Sequence, residues 1–276
     1  MRPKVIITGA GGGMGRACAR IYGNAYDLVL VDLASPSFES FVEELRNDGC
    51  VVEAFAGDVT SEAILSQIGD TLDGRTPFKL IHTAGIGPSQ GDRQTIMDIN
   101  YFAVERLLQV IEPKLVAGSS AVLIASMAGY MLPPMPEIAK VLSDRHDEGR
   151  LEKLEPVIVE MGRDIGPAGD QAMAYVVSKF GVHRLVEWRA ADWGAKGARI
   201  NSISPGVIMT PMTRREMASS FNAKEHGDAA ALGRLGAAMD IALAAQFLTS
   251  DAAAYVTGID LRVDGGSLAV ERTRAM

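Results

Sequence analysis

Seven short apolar runs, separated by segments with helical spacing, constrain the fold of this 276-residue chain more than any other feature. The runs are continuous rather than alternating, which is typical of parallel strands covered on both faces. Helical patterns lie between them, for example at Ser37–Asp48, Ser61–Thr71 and Ile96–Leu115. This rhythm predicts one α/β domain, residues 1–276, built on a doubly wound parallel sheet. The predicted strands are Lys4–Thr8, Leu28–Asp32, Val51–Ala56, Lys79–Thr83, Ala121–Ala125, Arg199–Ile203 and Ile259–Val263.

The composition indicates a water-soluble globular protein with a full core. Hydrophobic residues make up 47% and charged residues 22%, and the net charge is −7. A negative chain without a basic stripe is not expected to bind nucleic acid. No apolar run reaches the roughly 18 residues of a membrane helix, and no cleavable signal pattern precedes the first strand, so we expect a cytoplasmic protein. Cys18, Cys50 and the four histidines have no metal-ligand spacing, so no metal site is expected.

The glycine-rich loop Thr8-Gly9-Ala10-Gly11-Gly12-Gly13-Met14-Gly15 follows the first strand and opens a helix. Such glycines let backbone amides approach a pyrophosphate at the helix N-terminus, where the partial charge is positive. Asp32 ends the second strand, where a carboxylate can accept hydrogen bonds from an adenosine ribose and repel a 2′-phosphate. Leu33 beside it offers no positive charge. The loop and Asp32 therefore predict a Rossmann-like site for NAD.

Tyr175 and Lys179 place a phenol and an ammonium one helical turn apart on one face. A free tyrosine has a pKa of about 10, which is too high for a base near neutral pH. A nearby ammonium stabilises the phenolate and lowers that pKa. The pair alone is common on helices, but after a dinucleotide loop it indicates hydride transfer on a nicotinamide cofactor.

These motifs, in their order along nearly the whole chain, resemble those of the short-chain dehydrogenase/reductase family. His82-Thr83-Ala84-Gly85 stands where family members carry Asn-Asn-Ala-Gly, a departure that leaves the backbone role intact. The matching residues are Thr8, Gly9, Gly13, Gly15, Asp58, Val59, Ala84, Gly85, Asn100, Ser126, Tyr175, Lys179, Pro205, Gly206 and Thr210.

The resemblance implies four catalytic residues. Tyr175 is the acid–base group, Lys179 lowers its pKa and bonds the nicotinamide ribose, Ser126 holds the substrate oxygen, and Asn100 holds a water in the proton path to Lys179. The cofactor-binding residues implied by the loop and the resemblance are Gly9, Gly13, Met14, Gly15, Asp32, Leu33, Asp58, Val59, Ala84, Gly85, Tyr175, Lys179, Pro205, Gly206, Val207 and Thr210.

The stretch between Ser126 and Tyr175 spans 49 positions and is much shorter in most members. We expect a helical insertion at residues 131–168, similar to that of bacterial 3α-hydroxysteroid dehydrogenase/carbonyl reductases. Pro136–Asp147 is predicted to be a short helix, and Pro156 to kink or begin a second one. An apolar stripe follows the second helix at Leu151, Leu154, Ile158, Met161 and Ile165.

The stripe needs a cover, because each large apolar side chain is worth about 1.5–3 kcal/mol when buried. A partner subunit, the substrate cleft or a self-packed hairpin would each supply one. The resemblance implies assembly through the helices bearing Asn100 and Tyr175. We expect a homodimer or homotetramer on this basis.

The predicted function is hydride transfer between NAD(H) and a bulky apolar secondary alcohol or ketone, such as a steroid, a terpenoid or an aromatic alcohol. Met127, Met131, Met209, Met212 and Met217 fit either an apolar, adaptable pocket or an ordinary core. Pocket residues are expected in the insertion and in residues 211–228.

Three alternatives stay open. A catalytically silent nucleotide-binding regulator is disfavoured by the intact Ser126, Tyr175 and Lys179. An enoyl-thioester reductase of this family spaces its tyrosine and lysine further apart, and a methyltransferase has no use for the pair.

His183, one turn beyond Lys179, is interpreted as a structural histidine.

Overall fold

The computed structural model describes residues 2–132, 135–217 and 229–274, and its centre is a seven-stranded parallel sheet. The strand order is β3-β2-β1-β4-β5-β6-β9, and β7 pairs with β8 in a separate short ladder. The strands are β1 (Lys4–Thr8), β2 (Asp27–Asp32), β3 (Val52–Ala56), β4 (Lys79–His82), β5 (Ser120–Ile124), β6 (Arg199–Pro205), β7 (Ile208–Met209), β8 (Gly236–Ala237) and β9 (Asp260–Val263).

Helices cover both faces of the sheet, so each central strand sends successive side chains into two different cores. Leu80 of β4 lies in the core under the helices Glu62–Asp70, Ala103–Ile111 and Gly169–Ala195. Ile81 lies in the core under the helices Gly13–Tyr22 and Ala238–Thr249. The predicted doubly wound α/β, Rossmann-like fold is confirmed. The helices are α1 (Gly13–Tyr22), α2 (Pro36–Asn47), α3 (Glu62–Asp70), α4 (Arg93–Met97), α5 (Ala103–Ile111), α6 (Pro136–Ser143), α7 (Arg150–Gly162), α8 (Gly169–Ala195), α9 (Pro211–Met217), α10 (Ala238–Thr249) and α11 (Ser267–Arg274).

The bounds of all seven predicted strands differ from the observed ones by at most two residues. The largest difference is in β6, which continues to Pro205 because that residue pairs with Val263 of β9. Among the described helices, none has the length and apolar character that crossing a bilayer requires.

The predicted helical pattern over Ile96–Leu115 is helical in the structure, but it is not one regular α-helix. The helix begins earlier, because the side chain of Asp92 accepts a hydrogen bond from the amide of Thr95 at 2.8 Å and caps α4. A π-helical turn at Asp98–Phe102 then separates α4 from α5. A 3₁₀ turn at Glu112–Lys114, with a proline inside it, ends the run. π turns of this kind often occur at functional sites.

Residues 131–168, the predicted insertion, contain the two predicted helices with different bounds; residues 133 and 134 lie outside the described ranges. α6 ends at Ser143 rather than Asp147, because the Asp147 carboxylate instead accepts a hydrogen bond from the amide of Gly149 in a turn (3.0 Å). α7 begins at Arg150 and runs through Pro156, so that proline does not start the helix.

The apolar stripe of α7 is covered by the chain itself. Leu154 and Ile158 are 1% and 0% exposed and belong to the core shared with α5 and α8. Leu151 and Met161 are partly buried against the same core, and only Ile165 is exposed (55%). Of the three covers considered for the stripe, packing within the chain itself applies to its two central members, because α7 lies along α8.

A buried ion pair ties the insertion to α5. The Arg150 guanidinium lies 2.7 Å from the carboxylate of Glu105, which is 2% exposed. Burial raises the pKa of Glu105, and the charge of Arg150 opposes that effect. The hydroxyl of Tyr101 donates to the carbonyl of Leu142 at the end of α6 (3.0 Å). The inserted helices thus occupy a surface of the two helices that flank the candidate site.

Candidate active site

Segments that bear candidate residues follow the carboxyl ends of β1, β2, β3, β4, β5 and β6, which share one edge of the parallel sheet. Gly9 has a φ of +66°, and a Cβ atom there would lie 2.6 Å from the amide nitrogen of Ala84. A Cβ atom on Gly15 would in turn collide with the carbonyl oxygen of Gly9. The loops after β1 and β4 therefore meet through their backbones, and only glycine fits at the contact.

The segment that follows β6, through β7 to Thr210, closes over the start of α1. A Cβ atom on Gly13 would lie 3.0 Å from the methyl group of Thr210. The amide of Gly206 donates to the carbonyl of Val263 (3.1 Å), which holds the Pro205-Gly206 segment against β9. Met14 and Val207 are half-buried nearby in the chain. The first amides of α1 have no carbonyl partner within the helix, which favours an anion at this position.

Asp32 lies beside the glycine loop. Its Oδ2 atom accepts a hydrogen bond from the amide of Gly11 at 2.6 Å, and its Oδ1 atom accepts one from the amide of Leu33 at 2.7 Å. The side chain of Leu33 is exposed. The carboxylate is thus held at the rim of the loop, where the sequence places it.

The predicted adenine-side pair follows β3. The amide of Gly57 donates to the carbonyl of Asp32 (2.8 Å), which brings this segment beside the end of β2. Asp58 is exposed and accepts a hydrogen bond from the amide of Thr60 (2.8 Å), while Val59 is buried in the core.

Arg16 is a cation near Asp32 that the sequence reasoning missed. Its Nε atom donates to the carbonyl of Gly11 (2.8 Å), and one Nη atom donates to the carbonyl and hydroxyl of Ser37 (2.6 and 2.7 Å). Its guanidinium lies 4.6 Å from the ring centroid of Phe41. The residues next to Asp32 and the position before Gly13 in the glycine loop carry no positive charge, whereas Arg16 comes from the first helix.

The π-helical turn presents Asn100 to the loop after β4. Its Oδ1 atom accepts a hydrogen bond from the amide of Ile86 (2.9 Å), and its Nδ2 atom donates to the carbonyl of the same residue (3.0 Å). A Cβ atom on Gly85 would lie 3.0 Å from Oδ1 and 3.5 Å from Nζ of Lys179. Asn100, Gly85 and Lys179 therefore gather at one point.

Lys179 is 5% exposed, and its ammonium donates to the carbonyl of Ile124 at the end of β5 (3.1 Å). Burial lowers the pKa of Lys179 to about 8. Its Nζ atom lies 5.7 Å from the ring centroid of Tyr175, which is half-buried. The predicted phenol and ammonium are thus neighbours on α8.

Ser126 begins a 3₁₀ turn, Met127–Tyr130, directly after β5. Its hydroxyl oxygen accepts a hydrogen bond from the amide of Ala128 (3.1 Å), so its proton is available to a further acceptor. A Cβ atom on Gly129 would lie 2.9 Å from the carbonyl carbon of Lys179, which presses the turn onto α8. The fold therefore packs the turn that Ser126 opens onto the helix that carries the tyrosine and the lysine.

The predicted substrate segment at residues 211–228 is only partly described, and residues 218–228 lie outside the described ranges. Met209 and Met212 are half-buried, and Met131 is 55% exposed at the end of the Ser126 turn.

Comparisons with known proteins agree with this geometry. A family model described as short chain dehydrogenase matches residues 3–137, and one described as enoyl-(acyl carrier protein) reductase matches residues 158–267. D-threitol dehydrogenase of Mycolicibacterium smegmatis is 30% identical, over 95% of this chain and 91% of that protein. The 3-alpha-hydroxysteroid dehydrogenase/carbonyl reductase of Comamonas testosteroni is 27% identical, over 97% of both chains.

A solved structure described as short-chain dehydrogenase/reductase SDR, glucose/ribitol dehydrogenase, from Brucella melitensis superposes with a TM-score of 0.75 at 25% identity, covering 96% of each chain. The sheet order, the motif residues gathered at its carboxyl edge and these matches lead to one conclusion. The chain belongs to the short-chain dehydrogenase/reductase family of oxidoreductases.

Proposed function

We propose that this oxidoreductase transfers a hydride between NAD(H) and a bulky apolar secondary alcohol or ketone. The observation that carries the proposal is the buried ammonium of Lys179 beside the phenol of Tyr175, at the sheet edge that also bears the glycine loop. A silent nucleotide-binding regulator would have no need for a buried lysine whose pKa is lowered to about 8. Residues 131–168 are proposed to be an insertion within this one domain.

In alcohol oxidation, Tyr175 takes the hydroxyl proton while the ammonium of Lys179 stabilises the phenolate. Ser126 donates its proton to the substrate oxygen and holds it in place. Asn100 fixes the loop after β4 through Ile86 and borders Lys179, where protons leave. When bound, the dinucleotide supplies the hydride acceptor.

The residues present fit NAD. The glycine loop forms a cradle that a Cβ atom at Gly9, Gly13 or Gly15 would fill. Asp32 stands at its rim with a negative charge, and Arg16, a cation that contacts the same loop, is already bonded to Gly11 and Ser37. These contacts support a preference for a ribose with a free 2′-hydroxyl.

We expect the apo protein to bind NADH about a hundredfold more tightly than NADPH, because one close carboxylate repels a 2′-phosphate by a few kcal/mol. Fluorescence titration with both cofactors measures the ratio. Asp32→Ser should reduce the preference for NADH over NADPH at least tenfold, whereas Arg16→Leu should leave NADPH binding weak. Equal or tighter binding of NADPH by the wild type would contradict the preference.

The substrate class is supported by apolar side chains around the Ser126 turn and the loop after β6, chiefly Met131, Met209 and Met212. The relatives named above include one named for a steroid and one for a polyol. Absorbance of reduced nicotinamide, measured with NAD and matched panels of sterols, terpenoid alcohols and polyols, tests the proposal. Turnover of the polyols alone would overturn the apolar substrate, and NADH binding without turnover of any alcohol would favour the silent regulator.

We propose a homodimer or homotetramer built on α10 rather than on the surface that the insertion occupies. Met239, Leu243 and Phe247 recur every four residues on α10 and are 44%, 53% and 45% exposed. β9 is the last strand of the sheet, and it lies beside α10. Leu243→Glu combined with Phe247→Glu should reduce the mass in solution at least twofold by light scattering. Ile165→Glu, on the insertion, is the matched control, and dissociation by the control alone would refute this interface.

A further inference from the structure

His183 lies on α8 one turn beyond Lys179 and is 5% exposed. Its Nε2 atom is 2.7 Å from the hydroxyl of Ser204 and 3.6 Å from the carboxylate of Asp260. Burial lowers the pKa of the imidazole, and a hydrogen-bonding interaction with the backbone of Ser126 opposes that shift. Because Nε2 faces Ser204, we assign the Ser126 contact to the other ring nitrogen, which donates to a carbonyl.

The Tyr130 end of the Met127–Tyr130 turn is held by Asp260, the carboxylate that also lies near His183. The Tyr130 hydroxyl donates to Oδ2 of Asp260 (2.8 Å), and the Ser202 hydroxyl donates to its Oδ1 atom (2.6 Å). The ring of Tyr130 lies 4.6 Å from that of His183, centroid to centroid. Both ends of the Met127–Tyr130 turn are therefore bound to buried groups beneath it.

The middle of the turn has no room to move toward the helix. A Cβ atom on Gly129 would lie 2.6 Å from Cε1 of His183, so the backbone of the turn rests directly on the imidazole. The hydroxyl of Ser126 takes its direction from the turn through the amide of Ala128. One ring therefore sets how far the Ser126 hydroxyl stands from the helix that bears Tyr175.

We propose that His183 is a positioning residue that fixes the Ser126 hydroxyl relative to Tyr175, an inference that rests on the proposed function. In this role it acts through Ser126 and not on the reacting atoms themselves. Displacements of about 1 Å can cost a hundredfold in rate, so loss of this support should appear in kcat. A histidine that only filled the core would instead affect folding and cofactor binding, and its effect would not depend on Ser126.

Four proteins test whether the effect of His183 on kcat depends on Ser126: the wild type, Ser126→Ala, His183→Leu and the double variant. We expect His183→Leu to lower kcat tenfold or more with the NADH dissociation constant within twofold of wild type. In the Ser126→Ala background, the same substitution should change kcat less than twofold. His183→Asn, whose amide nitrogen can replace the ring nitrogen facing Ser126, should recover most of the rate. Equal losses in both backgrounds would overturn the proposal.

A second measurement needs no activity, so it separates this inference from the proposed function. Hydrogen–deuterium exchange of the apo protein should show faster uptake in a peptide covering residues 126–130 for His183→Leu, and near wild-type uptake for His183→Asn. Unchanged uptake in His183→Leu would show that the ring does not hold the turn. If His183→Leu does not fold, Tyr130→Phe is used instead, because it removes the hydrogen bond to Asp260 at the end of the turn. It should accelerate exchange of the same peptide, and unchanged exchange would refute the claim that these buried groups hold the turn.

Discussion

Tyr175→Phe is expected to lower kcat by about 10²–10⁴-fold, the range that general acid–base groups contribute, while NADH binds nearly as tightly as to the wild type. The substitution removes only the hydroxyl that exchanges the proton with the substrate oxygen. Lys179, the glycine loop and Asp32, which are proposed to hold the cofactor, are untouched. Steady-state kinetics on a good substrate and NADH titration measure the two quantities.

Tyr26→Phe is the matched control, because Tyr26 precedes β2 and lies at the opposite edge of the sheet. Its turnover should equal that of the wild type. If Tyr175→Phe kept a turnover within tenfold of wild type, the proposed base would be incorrect.

Lys179→Met is expected to make the apo protein more stable near neutral pH and to remove most turnover. Burial lowers the pKa of Lys179 from 10.5 to about 8. Between these pH values the unfolded chain binds more protons than the folded one, so stability rises with pH in that window. Below pH 8 the folded protein carries the full penalty of the buried charge, about 3 kcal/mol at roughly 1.4 kcal/mol per pKa unit.

The methionine variant is free of that penalty but loses the hydrogen bond to the carbonyl of Ile124, worth about 1 kcal/mol. We therefore expect a net gain of about 2 kcal/mol in the free energy of unfolding at pH 7, shrinking as the pH rises toward 10.5. Turnover falls because the phenolate of Tyr175 loses its counter-charge. Urea denaturation at pH 7 and pH 10 measures the gain.

Lys153→Met is the control for Lys179→Met, because the Lys153 side chain is 59% exposed and a surface charge contributes little to stability. Its unfolding free energy should stay within about 0.5 kcal/mol of wild type at both pH values. A destabilised Lys179→Met protein at pH 7 would show that the buried ammonium is not a cost to the fold.

Several features could be predicted because their causes are local. A buried parallel strand is a continuous apolar run, so β1 was located to the residue and the other six strands of the main sheet to within two residues. Closely spaced glycines between a strand and a helix, followed by an acidic strand end, favour a dinucleotide site. Tyr175 and Lys179 share a helix face by their spacing alone.

Other features depended on contacts between distant segments. The stripe of Leu154 and Ile158 indicates burial but not against what, and the cover turned out to be α8 and the core of the same chain. Arg150 meets Glu105, 45 positions away, and no local pattern pairs them. The tether of Arg16 to Ser37 was missed for the same reason.

The sequence by itself determined the strand-and-helix order, the glycine loop with Asp32 at its rim, and the identity of the groups at the candidate site, because periodicity and backbone sterics act over a few residues. Only the tertiary structure decided which polar groups are deprived of water. The pKa of Lys179 falls because β5 and α8 enclose it, and His183 gains a role because Ser126, Ser204 and Asp260 converge on it from three separate segments. Burial and charge act through space, so they follow from the fold and not from the order of residues along the chain.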